Sequence, residues 1–162
     1  MKKAIIFINL ISMFFILSIS ARVLPQDVIW NNDETGYYTI KKNSIVLVST
    51  VGKKDKDILT SSDVGDMKIE SFFFSEDRKK VLIFTNSVRV WRYNTRGNYF
   101  VYDLKSKDGH RLGSSLPENS LMFAKFSPDG KNIAYVSKEI IPNSFRNSST
   151  RANIYIENII DK

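Results

Sequence analysis

The chain has 162 residues, of which 43% are apolar and 12% aromatic. This is enough for one compact core and too little for two full domains. The formal net charge is +7, but the signs are interspersed, as at Lys53-Lys54 beside Asp55, and no basic stripe indicates nucleic-acid binding. Because the chain has no cysteine, disulfides, thiolate metal sites and a cysteine nucleophile are excluded.

Residues 1–20 have the pattern of a signal peptide. A positive start, Met1-Lys2-Lys3, precedes a nearly unbroken apolar run from Ala4 to Ile19, and the small residues of Ser18-Ile19-Ser20 follow the pattern of a cleavage site. We predict cleavage, which leaves residues 21–162 as the domain. The alternatives are a buried helix of the fold and an uncleaved membrane anchor, since a span needs about 20 apolar residues. A leader or an anchor predicts a periplasmic, secreted or outward-facing membrane-anchored protein.

The remainder reads as short strands separated by turn residues, which predicts an all-β fold. The first pair, Tyr37–Ile40 and Ser44–Val48, flanks Lys41-Lys42-Asn43 and predicts a hairpin with a three-residue connection. Further strand-like runs are Ile69–Phe74, Val81–Thr85, Tyr99–Leu104, Leu121–Phe126, Ile133–Ser137 and Ile154–Ile156. The polar stretch Ile140–Ser149 predicts an extended surface loop.

The strands belong to an internal repeat. Phe74–Val81 matches Phe126–Ile133, and Thr95–Tyr99 matches Thr150–Ile154 in the same order. In the second copy the chain reverses through Pro128-Asp129-Gly130, whose residues supply a preset φ, a side-chain cap and a positive φ. About four strands in a period near 50 residues is typical of one β-propeller blade.

We therefore predict a partial propeller of about two to three blades of four-stranded antiparallel sheet. Ile45–Leu59 would be the outer half of a preceding blade. A β-sandwich or barrel is the alternative fold, because strand-turn-strand patterns alone do not distinguish them. An incomplete ring leaves an unpaired edge and an apolar face at each end, so we expect self-association through the open blades.

Two segments carry a resemblance to a known family. Val90–Leu104, which contains Trp91-Arg92, and Leu121–Val136 resemble the N-terminal β-propeller of the dipeptidyl peptidase IV family, which are prolyl oligopeptidase-type serine peptidases. The likeness extends over roughly residues 30–160. Animal members continue with His-Ser where this chain has Tyr93-Asn94.

The resemblance implies a function. In the family, the propeller covers a C-terminal α/β-hydrolase domain, and the whole enzyme removes N-terminal dipeptides that have proline or alanine in second position. Arg92 matches the arginine that reaches the substrate cavity and hydrogen-bonds a substrate carbonyl, so the implied partner is a peptide N-terminus in a full-length context. The alternative for Arg92 is a solvated arginine packed on Trp91, which is itself expected in the core. Arg96 and Arg151 hold equivalent repeat positions and are expected to be structural.

No catalytic residue is predicted. A nucleophile elbow needs Gly-x-Ser-x-Gly, but between Gly109 and Gly113 the central residue is Arg111. The single histidine, His110, is expected to be a solvent-facing turn residue, and Asp77 and Asp129 are expected to serve the repeated turns. We predict no metal and no cofactor.

The sequence thus predicts a propeller fragment that is truncated before the catalytic domain and inactive alone. The alternative is a non-catalytic extracytoplasmic propeller module that binds proteins or peptides. Membrane contact is expected only if the leader of residues 1–20 is retained.

Overall fold

The computed structural model describes residues 28–65, 67–90, 92–141 and 149–160, and every helix or strand assigned within these ranges is a β-strand. The predicted all-β class is therefore confirmed. The predicted signal peptide lies outside the described residues, within which no helix is long and apolar enough to cross a bilayer. The strands are β1 (Ile29–Trp30), β2 (Gly36–Lys41), β3 (Ser44–Ser49), β4 (Lys56–Leu59), β5 (Ser71–Phe74), β6 (Lys80–Val90), β7 (Tyr93–Asp103), β8 (Gly109–Arg111), β9 (Leu121–Phe126), β10 (Asn132–Ile141) and β11 (Ser149–Asn158).

The first sheet, which we call the first blade, is an antiparallel meander in the order β1-β2-β3-β4. Its β2–β3 hairpin turns through only two residues, Lys42 and Asn43, because Lys41 still pairs with Ser44. The predicted three-residue connection was therefore one residue too long. Both turn residues are left-handed, with φ of 48° and 59°. That conformation matches the twist of strands joined by a two-residue hairpin.

The second sheet contains two further blades. Its main path runs β11-β10-β9-β7-β6-β5, and β8 pairs with β7 beside that path. We call β5–β8 the second blade and β9–β11 the third blade. They meet through one pairing, Gly97 with Leu121, whereas β10 and β11 pair along their whole length. The prediction of two to three propeller blades is confirmed, with the addition that two of them share a sheet at their junction.

The repeated sequence motif forms the same turn in both blades. Ser75 Oγ donates a hydrogen bond to Asp77 Oδ1 at 2.7 Å, and Ser127 Oγ donates to Asp129 Oδ1 at 2.6 Å. Each aspartate also accepts the backbone N–H two residues further on, at 3.1 Å and 3.0 Å. The two carboxylates therefore act as turn residues, as the sequence predicts.

Both faces of the second blade are buried. Along β6, Val81 and Ile83 face the first blade, whereas Leu82 and Phe84 face the third blade. Successive strand residues point to opposite faces, so a run of buried residues places this blade between two others. The contacts toward the first blade are Ile45, Leu59, Val64, Ile69, Phe72 and Tyr102, and those toward the third blade are Tyr99, Val101, Leu112, Leu121, Ala124, Ile133, Tyr135 and Ile159.

The outer face of the third blade is open. Ile154 and Ile156 on β11 are 76% and 74% exposed. Their repeat counterparts on β7, Tyr99 and Val101, are only 6% and 3% exposed, because the third blade covers them. The third blade thus presents to solvent the positions that the second blade buries.

The predicted surface loop Ile140–Ser149 is strand at its ends. Strand β10 continues to Ile141 and β11 begins at Ser149, and the residues between them lie outside the described part of the chain. The second blade has the same kind of extension, because β6 and β7 continue past the pair of Thr85 and Asn98. Extended hairpins are therefore a feature of both blades.

Candidate functional site

Arg92, the predicted substrate-binding residue, lies at the tip of the β6–β7 hairpin. Val90 pairs with Tyr93, so Arg92 lies in the short connection between the two strands. The Arg92 side chain is exposed, and Trp91, predicted in the core, lies outside the described residues. The guanidinium of Arg92 is thus accessible to a ligand from solvent.

Residues 86–90 and 92–97, which together we call the Arg92 arm, extend the hairpin beyond the buried pair of Thr85 with Asn98. The next pair in the register is Val88 with Arg96, so two residues of β6 lie opposite a single residue of β7. This is a β-bulge, which bends a strand and changes the direction of the side chains beyond it. The direction in which Arg92 projects therefore depends on the base of the arm.

That base is held from both strands. On the β6 side, Ser87 N donates to Glu70 Oε1 at 3.1 Å. On the β7 side, Asn119 N donates to Asn98 Oδ1 at 2.7 Å. At Gly97 a Cβ atom would lie 2.7 Å from a β6 carbonyl oxygen, so only glycine allows this approach. The sequence contains no signal that links Glu70 or Asn119 to Arg92.

Arg96 and Arg151 occupy equivalent places in β7 and β11, as the repeat predicts. Arg96 pairs with Val88 within the second blade, and Arg151 pairs with Glu139 within the third blade. Arg96 is half-buried and Arg151 is exposed. Neither lies at a hairpin tip, and position in the fold thus distinguishes Arg92 from these two arginines.

His110 is not the solvent-facing turn residue that the sequence suggested. It lies in strand β8 with its side chain 31% exposed, and its Nε2 is 3.9 Å from Glu157 Oε1 of β11. The other oxygen of Glu157 accepts hydrogen bonds from Gly113 N and Tyr135 Oη, each at 3.0 Å. Burial and the neighbouring Glu157 carboxylate raise the pKa of Tyr135. These contacts join the second and third blades, which a solvent-exposed turn could not do.

Asp77 and Asp129 are held by hydrogen bonds within their own turns. The hydrogen bond from the Ser75 hydroxyl lowers the pKa of Asp77, and the Ser127 hydroxyl does the same for Asp129. Within the described ranges, no group of three or more histidine, cysteine, aspartate or glutamate side chains could hold a metal ion.

A concavity of about 970 Å³ lies between the outer strand of the second blade and the end of the third blade. It is lined by Lys80, Val101, Asp103, Lys105, Ser106, Asp108, Gly109, His110, Arg111, Ser114, Ile159 and Ile160. None of these residues belongs to the Arg92 arm. The concavity and the exposed arginine are therefore separate features.

Comparison with known proteins assigns this chain to a family. Residues 75–141, which span the second-blade turn, the Arg92 arm and strands β9 and β10, match the family described as the dipeptidyl peptidase IV (DPP IV) N-terminal region. Dipeptidyl aminopeptidase B of Saccharomyces cerevisiae is 32% identical over 144 residues, which are 86% of this chain and 15% of the yeast protein. The chain carries an N-terminal region of the dipeptidyl peptidase IV family.

Other similar proteins support the same family assignment. Human prolyl endopeptidase FAP is 26% identical over 107 residues, which are 66% of this chain and 14% of that protein. The crystal structure of Porphyromonas gingivalis dipeptidyl peptidase 4 superposes with a TM-score of 0.57 at 19% identity, over 67% of this chain and 16% of that one. The latter likeness shows the propeller fold alone. The chain spans about 15% of the length of the yeast and human relatives.

Proposed function

We propose that this chain is the substrate-recognising propeller region of a dipeptidyl peptidase IV-type serine peptidase, and that Arg92 hydrogen-bonds a carbonyl of a peptide N-terminal segment. The observation that supports this most is the position of Arg92, an exposed cation at the tip of an arm with a fixed base. Two of the relatives are peptidases by name, an aminopeptidase and an endopeptidase.

The chemistry of arginine suits the proposed role. Its guanidinium is charged at every physiological pH and presents five N–H donors in a planar fork, so it can orient a peptide carbonyl oxygen. A net contribution of about 1.5–3 kcal/mol is typical of a hydrogen bond to a charged group. Because the hydrogen bonds of Ser87 and Asn98 hold the arm, little additional chain entropy is lost on binding.

Peptide hydrolysis by a serine peptidase needs a nucleophilic serine and a histidine base, and the 162 residues do not supply this pair. The sequence has no Gly-x-Ser-x-Gly segment, and its single histidine, His110, lies against Glu157 at the contact between two blades. We propose that the 162-residue chain does not cleave peptides alone, and that catalysis depends on an α/β-hydrolase domain.

A non-catalytic binding module outside the cytoplasm is the second candidate function. The open face of the third blade favours it, because Ile154 and Ile156 form an exposed apolar pair on a regular strand. Uncovered sheet faces and edges bind other sheets. In this proposal the chain is exported by residues 1–20 and associates with itself or with a partner protein through this face.

The first proposal is tested by titrating the chain with a peptide that begins Gly-Pro and following backbone amide signals by NMR. We expect shifts in the Arg92 arm and an affinity about tenfold lower for Arg92→Ala, because that variant loses a hydrogen bond to a charged group. Arg151→Ala, which removes an exposed arginine elsewhere, is the matched control and should bind as the parent does.

Equal affinity of Arg92→Ala and the parent would contradict the proposed role of Arg92. A Gly-Pro chromogenic substrate tests inertness in the same preparation. Turnover that persists after repurification would overturn the proposal that the chain does not cleave peptides.

A further inference from the structure

The arms of the second and third blades differ in one respect. In the third blade, every residue of β10 from Asn132 to Ile141 pairs with β11 in unbroken register. In the second blade, the register of β6 with β7 shifts twice, between Thr85 and Val88 and between Val88 and Arg89. The repeat therefore does not require an irregular arm, and the bend belongs to the arm that carries Arg92.

The first shift centres on a left-handed residue. Asn86 has a φ of 51°, a conformation that costs most residues roughly 1–2 kcal/mol and that asparagine tolerates better. The next residue, Ser87, lies in the bulge, where ladder hydrogen bonding is locally disrupted. Its N–H donates instead to Glu70 Oε1 at 3.1 Å.

Glu70 is placed for this contact by the sheet itself. It directly precedes β5, and its own N–H donates to Phe84 O at 3.0 Å, so its backbone is hydrogen-bonded to β6. The half-buried side chain then extends along β6 to the bulge. A carboxylate that accepts a backbone N–H forms a charge-assisted hydrogen bond.

The repeat provides an internal comparison for Glu70. At the displacement that relates Phe74 to Phe126, the sequence counterpart in the third blade is Met122. A register shift in β9 places Leu121 opposite Ser137, the counterpart of Thr85, and a leucine side chain has no acceptor atom. Methionine has only a weak acceptor sulfur, and the third-blade arm has no bulge. The carboxylate acceptor and the bulge between the arm strands occur together in the second blade, whereas the β10–β11 pairing of the third blade has no bulge.

We propose that Glu70 is the positioning residue for Arg92. By satisfying the amide that the bulge releases, it fixes the bend of the Arg92 arm and so the direction in which the guanidinium projects. Gly97 and Asn98 fix the β7 side of the same base, and Glu70 holds the β6 side. The functional meaning of this role rests on the proposed recognition of peptides by Arg92, whereas the control of arm direction does not.

The absence of native cysteine allows a direct test. Spin labels at Asn94→Cys, near the arm tip, and Lys105→Cys, on the body of the second blade, report the arm direction as a distance distribution. Three backgrounds are compared, namely Glu70→Ala, Glu70→Gln and the control Glu76→Ala, which removes an exposed glutamate from the neighbouring turn. Hydrogen exchange at Ser87 N–H is measured in each variant.

We expect Glu70→Ala to broaden and displace the distance distribution and to speed exchange at Ser87 by about tenfold, because the hydrogen bond to a charged acceptor is lost. Glu70→Gln keeps an acceptor oxygen and should restore the parent distance distribution. Its exchange rate at Ser87 should lie between those of the parent and of Glu70→Ala. Glu76→Ala should match the parent. Circular dichroism of all variants confirms that the blades remain folded.

An unchanged distribution in folded Glu70→Ala would overturn the positioning role. If Glu70→Ala does not fold, Glu70→Gln carries the test, and exchange at Ser87 as slow in Glu70→Gln as in the parent would overturn the positioning role. Peptide affinity separates the two proposals. A displaced arm with unchanged peptide affinity contradicts peptide recognition by Arg92 and leaves the role of Glu70 in arm direction intact.

Discussion

The second and third blades share a turn but differ in what surrounds them. Both reverse through a Ser-x-Asp turn with hydrogen bonds of nearly the same length. The second blade is buried on both faces, whereas the third exposes Ile154 and Ile156. The comparison teaches that the repeat determines the local geometry of the turn, and that the neighbouring blades determine how much the same positions contribute to stability.

The largest expected effect is a difference in stability between repeat counterparts. Tyr99→Ala removes a ring that is 6% exposed, packed on Phe84 with ring centroids 4.8 Å apart. Truncation of a buried aromatic residue costs about 3–5 kcal/mol. Ile154→Ala, at the corresponding place on the open face, should change the free energy of unfolding by less than about 0.5 kcal/mol.

Urea unfolding followed by circular dichroism measures both variants. Similar losses at Tyr99 and Ile154 would mean that the two faces are covered alike, and the contrast between the blades would be wrong.

A smaller effect is expected where the second blade contacts the first. Asp63, which precedes β5, accepts hydrogen bonds from the Thr60 amide at 2.8 Å, the Thr60 hydroxyl at 2.7 Å and Lys107 Nζ at 2.9 Å. The Thr60 amide and hydroxyl, with Lys107, lower the pKa of Asp63 from 3.8 to about 2. Lys107 is half exposed, so solvent screens its contribution to the lowered pKa of Asp63.

Because the folded-state pKa is the lower one, the carboxylate stabilises the fold above about pH 4, and this contribution is lost as the pH falls toward about 2. We expect Asp63→Asn to destabilise the chain by about 1 kcal/mol at neutral pH and to flatten its stability profile between those values. The measurement is urea unfolding at a series of pH values. A stability profile identical to that of the parent would contradict the role of Asp63 as a stabilising contact between the blades.

The sequence predicted the features that depend on local chemistry and on the repeat. The strand runs, the aspartate turns and the blade period all follow from residues close together in the chain. The family resemblance at Trp91-Arg92 located a candidate site residue, which the structure places at an exposed hairpin tip.

The remaining features depend on contacts between distant segments. Asn43 accepts from Ile69 N at 2.7 Å and donates to Met67 O at 2.9 Å, which no local pattern reveals. Likewise, His110 contacts Glu157 across a blade boundary, so its position in a Gly-flanked segment suggested a turn where a strand forms. The link between Glu70 and the arm has the same origin, since its partner Ser87 lies on another strand.

The account depends most on the second blade lying between two others while the third is covered on one face. Thiol labelling of Val101→Cys and Ile156→Cys, counterparts in a chain without native cysteine, tests this directly. We predict that the thiol at position 156 reacts in the folded protein as fast as in a denatured one at low protein concentration, and that the thiol at 101 reacts only on unfolding. Equal labelling rates at the two positions in the folded chain would contradict the stacked-blade arrangement.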